Sequence, residues 1–93
     1  MIIGTCIVYL EAPWVESLKE KRMVVKSIID KSKHKFNISI AEVENQDMHK
    51  SIAVGFACVT NEVSHANSII DNVINFIGKN TDADILDTVI EIL

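Results

Sequence analysis

Aromatic side chains are scarce in this sequence, at 5%, with one Trp, one Tyr and three Phe. Ile, Val and Leu must therefore supply most of any core. No apolar run approaches the ~20 residues of a membrane-spanning helix. The start, MIIGTCIVYLE, lacks the basic region and small-residue cleavage site of a signal peptide. A cytoplasmic protein with no membrane partner is the expectation. Only two cysteines occur, Cys6 and Cys58, both inside apolar runs and without a nearby Cys or His at ligand spacing. That pattern disfavours a zinc site and reads as two buried thiols. One proline and three glycines leave no linker or low-complexity stretch. The 93 residues, 48% hydrophobic, suit a single domain over residues 1–93 with one modest core.

Positive charge is also scarce, except in one place. Seven of the nine basic residues lie between Ser17 and Phe36: Lys19, Lys21, Arg22, Lys26, Lys31, Lys33 and Lys35. Glu20 and Asp30 oppose them, which leaves the segment at +5; with the whole chain at −4, the remainder carries −9. A net acidic chain disfavours indiscriminate nucleic-acid binding and suits a partner that approaches one face.

Residues 2–11, rich in β-branched types, read as a strand that Pro13 and Trp14 break. Ser17-Leu-Lys-Glu20 is an S-x-x-E capping box that opens a helix. Its inward face is Leu18, Val25, Ile28, Ile29, Ser32 and Phe36, with Val24 on the edge. Residues 37–44 and 50–60 read as two further strands around the polar turn Asn45-Gln46-Asp47. Asn61 or Ser64 is positioned to cap a second helix with the stripe Ala66, Ile69, Ile70, Val73 and Ile77, closed by Gly78 in a left-handed conformation. Residues 84–93 make the last strand. The order βαββαβ predicts a ferredoxin-like α+β fold: a four-stranded antiparallel sheet, order 4-1-3-2, with both helices on one face.

Alternation assigns the faces. In the third strand Ile52, Val54, Phe56 and Cys58 are large and Ala53, Gly55 and Ala57 small, so the large set belongs in the core. Ile2, Cys6, Val8 and Leu10 point the same way in the first strand. Ile3, Thr5, Ile7, Tyr9 and Val59 are left on the open face, which is unusually apolar for a surface that normally meets water. Self-association through Ile7, Tyr9 and Val59, as a homo-oligomer such as a dimer, is one reading; a scatter of apolar residues on a solvated face is the other. Either register suits Ala41-Glu42-Val43-Glu44 in the second strand.

Topology brings the start of the first helix, the turn between strands two and three, and the connection around Lys79 to Asp82 to one rim. Trp14, Lys19, Lys21, Arg22 and Lys26 are candidates for phosphate contact with RNA or a ribosomal subunit, Trp14 as a stacking surface and the helix N-terminus as an anion site. A solvated helix face is the alternative. Lys21 falls inside the apolar arc and must snorkel or point off the end of the sheet. Glu42, Glu44, Gln46, Asp47 and His49 form a polar rim cluster with no loop spacing of a known metal site, and an internal salt link to Lys21 or Arg22 explains it better. No catalytic residue, cofactor or metal is assigned. Gly55-Phe56-Ala57-Cys58-Val59 echoes the strand-three motif of RNA-recognition domains but lacks its second aromatic and a preceding basic residue. EAPWVES is not the glycine-rich loop of acylphosphatases.

SLKEKR followed by VVKSI, then FNISIAEVENQD, the VGFACVTN strand and the closing IEIL together resemble the YlxP-like proteins, a family of small bacterial proteins of unknown function. The resemblance covers essentially the whole chain. It implies a ferredoxin-like fold and transfers no catalytic residue. Genes of that family often sit among those for ribosome maturation and translation initiation, which implies a ribosome- or RNA-linked role. Many relatives carry charged residues where this chain has Ile7 and Tyr9. The leading expectation is a non-enzymatic binding module that meets RNA or a ribosomal particle through the basic helix. A self-associating structural or regulatory domain is the second, and a small-ligand binder or enzyme at the rim the third.

Overall fold

The computed structural model describes residues 1–93. Its six elements are β1 (Ile2–Glu11), α1 (Leu18–Lys35), β2 (Ser39–Glu44), β3 (Ser51–Thr60), α2 (Val63–Lys79) and β4 (Asp84–Ile92). The sheet order is β2-β3-β1-β4 with every neighbouring pair antiparallel, as the element order predicts. Both helices lie on the face that carries Cys6, Val8, Leu10, Ile52, Val54 and Phe56; with Val25 and Ile28 of α1 and Ile70, Val73 and Ile77 of α2 these form the core. No helix is long and apolar enough to cross a membrane.

Local chemistry explains the element ends. The Ser17 hydroxyl accepts from the Glu20 N–H at 3.1 Å and stops the first turn of α1 from fraying. At the other end Phe36 donates its N–H to the Ser32 carbonyl, and its ring meets Phe76 edge-on, centroids 5.4 Å apart. Those two contacts hold residues 36–38 at the helix end, so β2 begins at Ser39 rather than at residue 37. Neither Asn61 nor Ser64 caps α2. Glu62 holds the cap position without a side-chain bond, and the Thr60 hydroxyl secures the turn by accepting from the Glu62 N–H and donating to its carbonyl. Gly78 is also different from expectation: no glycine has a positive φ, and α2 runs on to Lys79. Asn80 ends it instead, donating from Nδ2 to the Phe76 carbonyl and from its backbone N–H to that of Ile77.

Gly4 permits a close approach of α2 to the sheet. A Cβ there would lie 3.1 Å from the Cys58 sulfur and from the Ile70 Cδ1, and 3.2 Å from the Ala66 Cβ. β2 pairs regularly with β3 from Ser39 to Glu42 and then shifts register between Glu42 and Glu44. Ile40 and Glu42 sit opposite Phe56 and Val54 and face the helices, whereas Glu44 sits opposite Ala53 and faces the open side. Rows of the open face then read Ser39, Ala57, Thr5, Glu91 and Glu44, Ala53, Tyr9, Asp87 from one edge to the other.

Candidate functional site

The basic helix divides into three parts. Lys21, expected among the phosphate contacts, is 1% exposed and cannot reach a phosphate. Its position on the helix turns it under α1, toward β2. There its ammonium lies 2.9 Å from the Glu42 carboxylate and donates to the Asn45 carbonyl. Glu42 contributes a charge contact rather than an aligned hydrogen bond. Asn45 presents that carbonyl from a left-handed turn, φ 62°, which asparagine tolerates better than most residues. Lys21 is thus a buried pin between α1 and the β2–β3 turn, the internal salt link that the rim cluster suggested.

The second part is an exposed stripe. At about 100° per residue, Arg22, Lys33, Lys26 and Lys19 fall within about 60° of the circumference of α1. All four are exposed. Lys26 is drawn into a pair with Asp30 at 2.6 Å, a surface contact that water screens. At the start of α1 the Glu20 carboxylate accepts from the Glu16 N–H at 2.8 Å, one residue earlier than the capping box predicts. That places a negative group beside the helix terminus, where it disfavours a phosphate.

The third part is Lys31, about 120° beyond Lys19 around the helix. Trp14 belongs with it and not with the stripe. Trp14, Met23, Val24, Ser27 and Lys31 line an open cleft of about 340 Å³, which the α2–β4 connection closes with Asn80, Thr81 and Asp82. The sequence placed Trp14 and that connection on one rim but did not pair Trp14 with Lys31.

The rim cluster does not assemble. Glu42 is under α1 with Lys21, while Gln46, Asp47 and His49 are exposed on the turn. Glu44 leaves for the open face and accepts a hydrogen bond from the Tyr9 hydroxyl at 2.9 Å. That bond, with burial and the nearby Glu44 and Asp87 charges, holds the Tyr9 proton and raises its pKa above the ordinary phenolic value. No group of three or more His, Cys, Asp or Glu side chains is placed to hold a metal ion. Cys6 and Cys58 are free and buried, and burial pushes the Cys6 thiol up to about 11. Phe56 is buried as well, so it offers no stacking surface to a base.

On the open face Ile7 and Tyr9 are half-buried and Val59 is 66% exposed. Val43, Val89 and Leu93 extend this apolar surface, each exposed. They were missed because the register of β2 and the irregularity near Tyr9 in β4 decide their side. Ala41, Val43, Ile7, Gly55 and Ala57 line a shallow groove of about 370 Å³ there.

Comparison with known proteins gives the family. A model of a protein family of unknown function, DUF503, matches residues 3–90. The chain belongs to the DUF503 family. It is 36% identical over 74 residues to the uncharacterized protein YlxP of Bacillus subtilis (strain 168), across 80% of this chain and 76% of that one. The likeness read from SLKEKR and FNISIAEVENQD is therefore borne out. Among solved structures it is similar to a de novo designed protein with a ferredoxin fold, LFR1 1, at TM-score 0.60 and 14% identity, over 98% of this chain and 85% of the design. A second design, Foldit4, matches at TM-score 0.52 and 8% identity, over 99% and 94% of the two chains. These likenesses concern the fold alone. Similarity to designed backbones also fits the regular lengths and short connections of this one.

Proposed function

We propose that this DUF503 protein is a non-enzymatic RNA-binding module that meets phosphates through the exposed stripe of α1. The observation that carries the reading is the separation of charge between the two faces. Lys19, Arg22, Lys26 and Lys33 are exposed together on the helical side. On the open sheet face the charged residues in paired positions are Glu11, Glu44, Asp84, Asp87 and Glu91, all acidic. A polyanion is attracted to one side of the molecule and repelled from the other, which gives orientation to an acidic protein. A ribosomal subunit is the RNA-rich particle that the reading favours, and the cytoplasm is the compartment, where two free thiols stay reduced. Lys19→Glu/Arg22→Glu tests it with a labelled single-stranded RNA. Loss of binding by about tenfold or more at low salt, with an unchanged circular dichroism spectrum, is the expected result. Equal affinity for the double variant and the parent chain refutes the reading.

The sheet face favours a second role compatible with the first, since it lies opposite α1. Val59, Val43, Val89 and Leu93 present exposed apolar side chains on this face, in two rows separated by Ser39, Ala57, Thr5 and Glu91, and exposed apolar surface of that kind marks interfaces. Self-association through Ile7, Tyr9 and Val59 predicts a dimer whose dissociation is promoted by Val59→Asp. A strict monomer in light scattering at high protein concentration excludes it.

A further inference from the structure

The cleft beside Trp14 holds chemistry that phosphate contact along the α1 stripe does not use. Trp14 is 43% exposed, yet its neighbours Ala12 and Val15 are fully buried. The loop is also tied down: Val15 donates its N–H to the Ala12 carbonyl at 3.1 Å, and the Lys50 ammonium donates to the Pro13 carbonyl at 2.8 Å. The indole is therefore presented on a held support, where a flat ligand meets it without first ordering the loop.

Across the cleft the polar residues divide by their partners. Asn80 is committed to the Phe76 carbonyl, and the Thr81 hydroxyl accepts from the Ala83 N–H at 3.2 Å, so both serve the turn. Lys31 and Asp82 are not committed. The two ion pairs of the chain are Lys21–Glu42 and Lys26–Asp30. A cation and a carboxylate thus line one cleft of about 340 Å³ and do not close on each other. That volume lies at the small end of the usual range for ligand sites, about 300–1,000 Å³.

We propose that this cleft takes a single guanine nucleotide of an RNA strand. The base stacks on Trp14, Lys31 meets its phosphate, and the Asp82 carboxylate accepts from the Watson–Crick edge. Guanine is singled out by that carboxylate. Its N1–H and 2-amino group offer two parallel donors to one acceptor pair. Adenine and cytosine offer one amino group beside an acceptor, and the N3–H of uracil lies between two carbonyls that repel a carboxylate. Bases in unpaired RNA expose that edge and are commonly read in this way, stacked on an aromatic and hydrogen-bonded in plane. The proposal rests on the RNA reading above for the source of the nucleotide. The outer surface of α1 between Lys19 and Lys31 is the path by which the backbone continues to the stripe.

Trp14 is the only tryptophan of the chain, so its fluorescence reports on this cleft alone. The intact protein is titrated with short single-stranded RNAs that differ at one central position, G, inosine, A or U, and with guanosine monophosphate. Trp14 emission and the anisotropy of the labelled strand are followed together. The G strand quenches Trp14 and binds about tenfold more tightly than the inosine strand, which lacks only the 2-amino donor. Asp82→Asn, on an exposed connection, abolishes that preference and leaves the circular dichroism unchanged. Binding of all four strands with equal affinity and no change in Trp14 emission overturns the guanine site and leaves the RNA reading standing. No anisotropy change with any RNA, together with quenching by the free mononucleotide, upholds the guanine chemistry and overturns its RNA source. Absence of both signals overturns the two together.

Discussion

Replacing Lys21 by methionine is the sharpest test of how this structure is held. The substitution keeps the length and most of the volume of the side chain, so little cavity forms. It removes the charge that faces Glu42 at 2.9 Å and the donor that satisfies the Asn45 carbonyl. Breaking a buried ion pair from one side costs about 3–5 kcal/mol, because the other charge remains desolvated. Glu42 keeps 19% of its side chain in contact with water, which relieves part of that penalty and brings the expected cost to about 2–3 kcal/mol. A domain of this size unfolds in urea with a slope of about 1 kcal/mol per molar, so the midpoint should fall by about 2–3 M. In a thermal melt the same loss lowers Tm by about 10–20 °C. Lys21→Met/Glu42→Leu removes both charges and should recover to within about 1 kcal/mol of the parent protein, a coupling that only a contacting pair shows. A Tm for Lys21→Met within about 2 °C of the parent would refute the reasoning, since it would mean that the ammonium is solvated and the pin does not exist.

Gly4→Ala places a methyl against Cys58, Ile70 and Ala66 at 3.1–3.2 Å, and overpacking of that kind should cost about 1–3 kcal/mol in a denaturant titration. Ser32→Ala should raise stability by about 1 kcal/mol, because the Ser32 hydroxyl is buried without a hydrogen-bond partner. The Cys6 thiol is raised from 9.0 to about 11 by burial. The unfolded chain therefore loses this proton first, so its contribution to stability is complete below pH 9 and is lost as pH rises toward 11, which urea midpoints across that range will follow. Neither cysteine should react with a thiol reagent at pH 8 until denaturant is added, and prompt native-state labelling would contradict their burial.

Much of the fold was legible because each signal was local and redundant. The alternation of Ile52, Val54, Phe56 and Cys58 with small residues assigned the faces of β3, and the Ser17–Glu20 spacing marked the start of α1. What could not be read depends on partners distant in sequence. Lys21 stood visibly within the apolar arc, but its burial requires Glu42 opposite it, and Glu42 takes that side because it is in phase with Ile40 across β3, while the irregularity that follows turns Glu44 to the open face. Gly78 carried a helix-stop signal, but it keeps a negative φ and the helix runs on to Lys79, where Asn80 ends it with a side-chain bond to the Phe76 carbonyl. Trp14 reads from the sequence as part of the basic stripe because both lie at one rim. Their separation around α1 follows from which flank of the helix meets the α2–β4 connection, a packing choice that periodicity does not encode.

The central claim is that α1 meets RNA phosphates. Binding of the purified protein to ribosomal subunits and to ribosomal RNA fragments, measured from low to physiological salt, tests it most directly. With Lys19, Arg22 and Lys33 free of ion pairs and Lys26 shared with Asp30, the logarithm of affinity should fall with the logarithm of salt at a slope of about −2 to −3, at roughly −0.7 per single-stranded phosphate neutralised. Absence of binding at low salt, or binding that salt does not weaken, would contradict the account and make the basic stripe a solvated helix face.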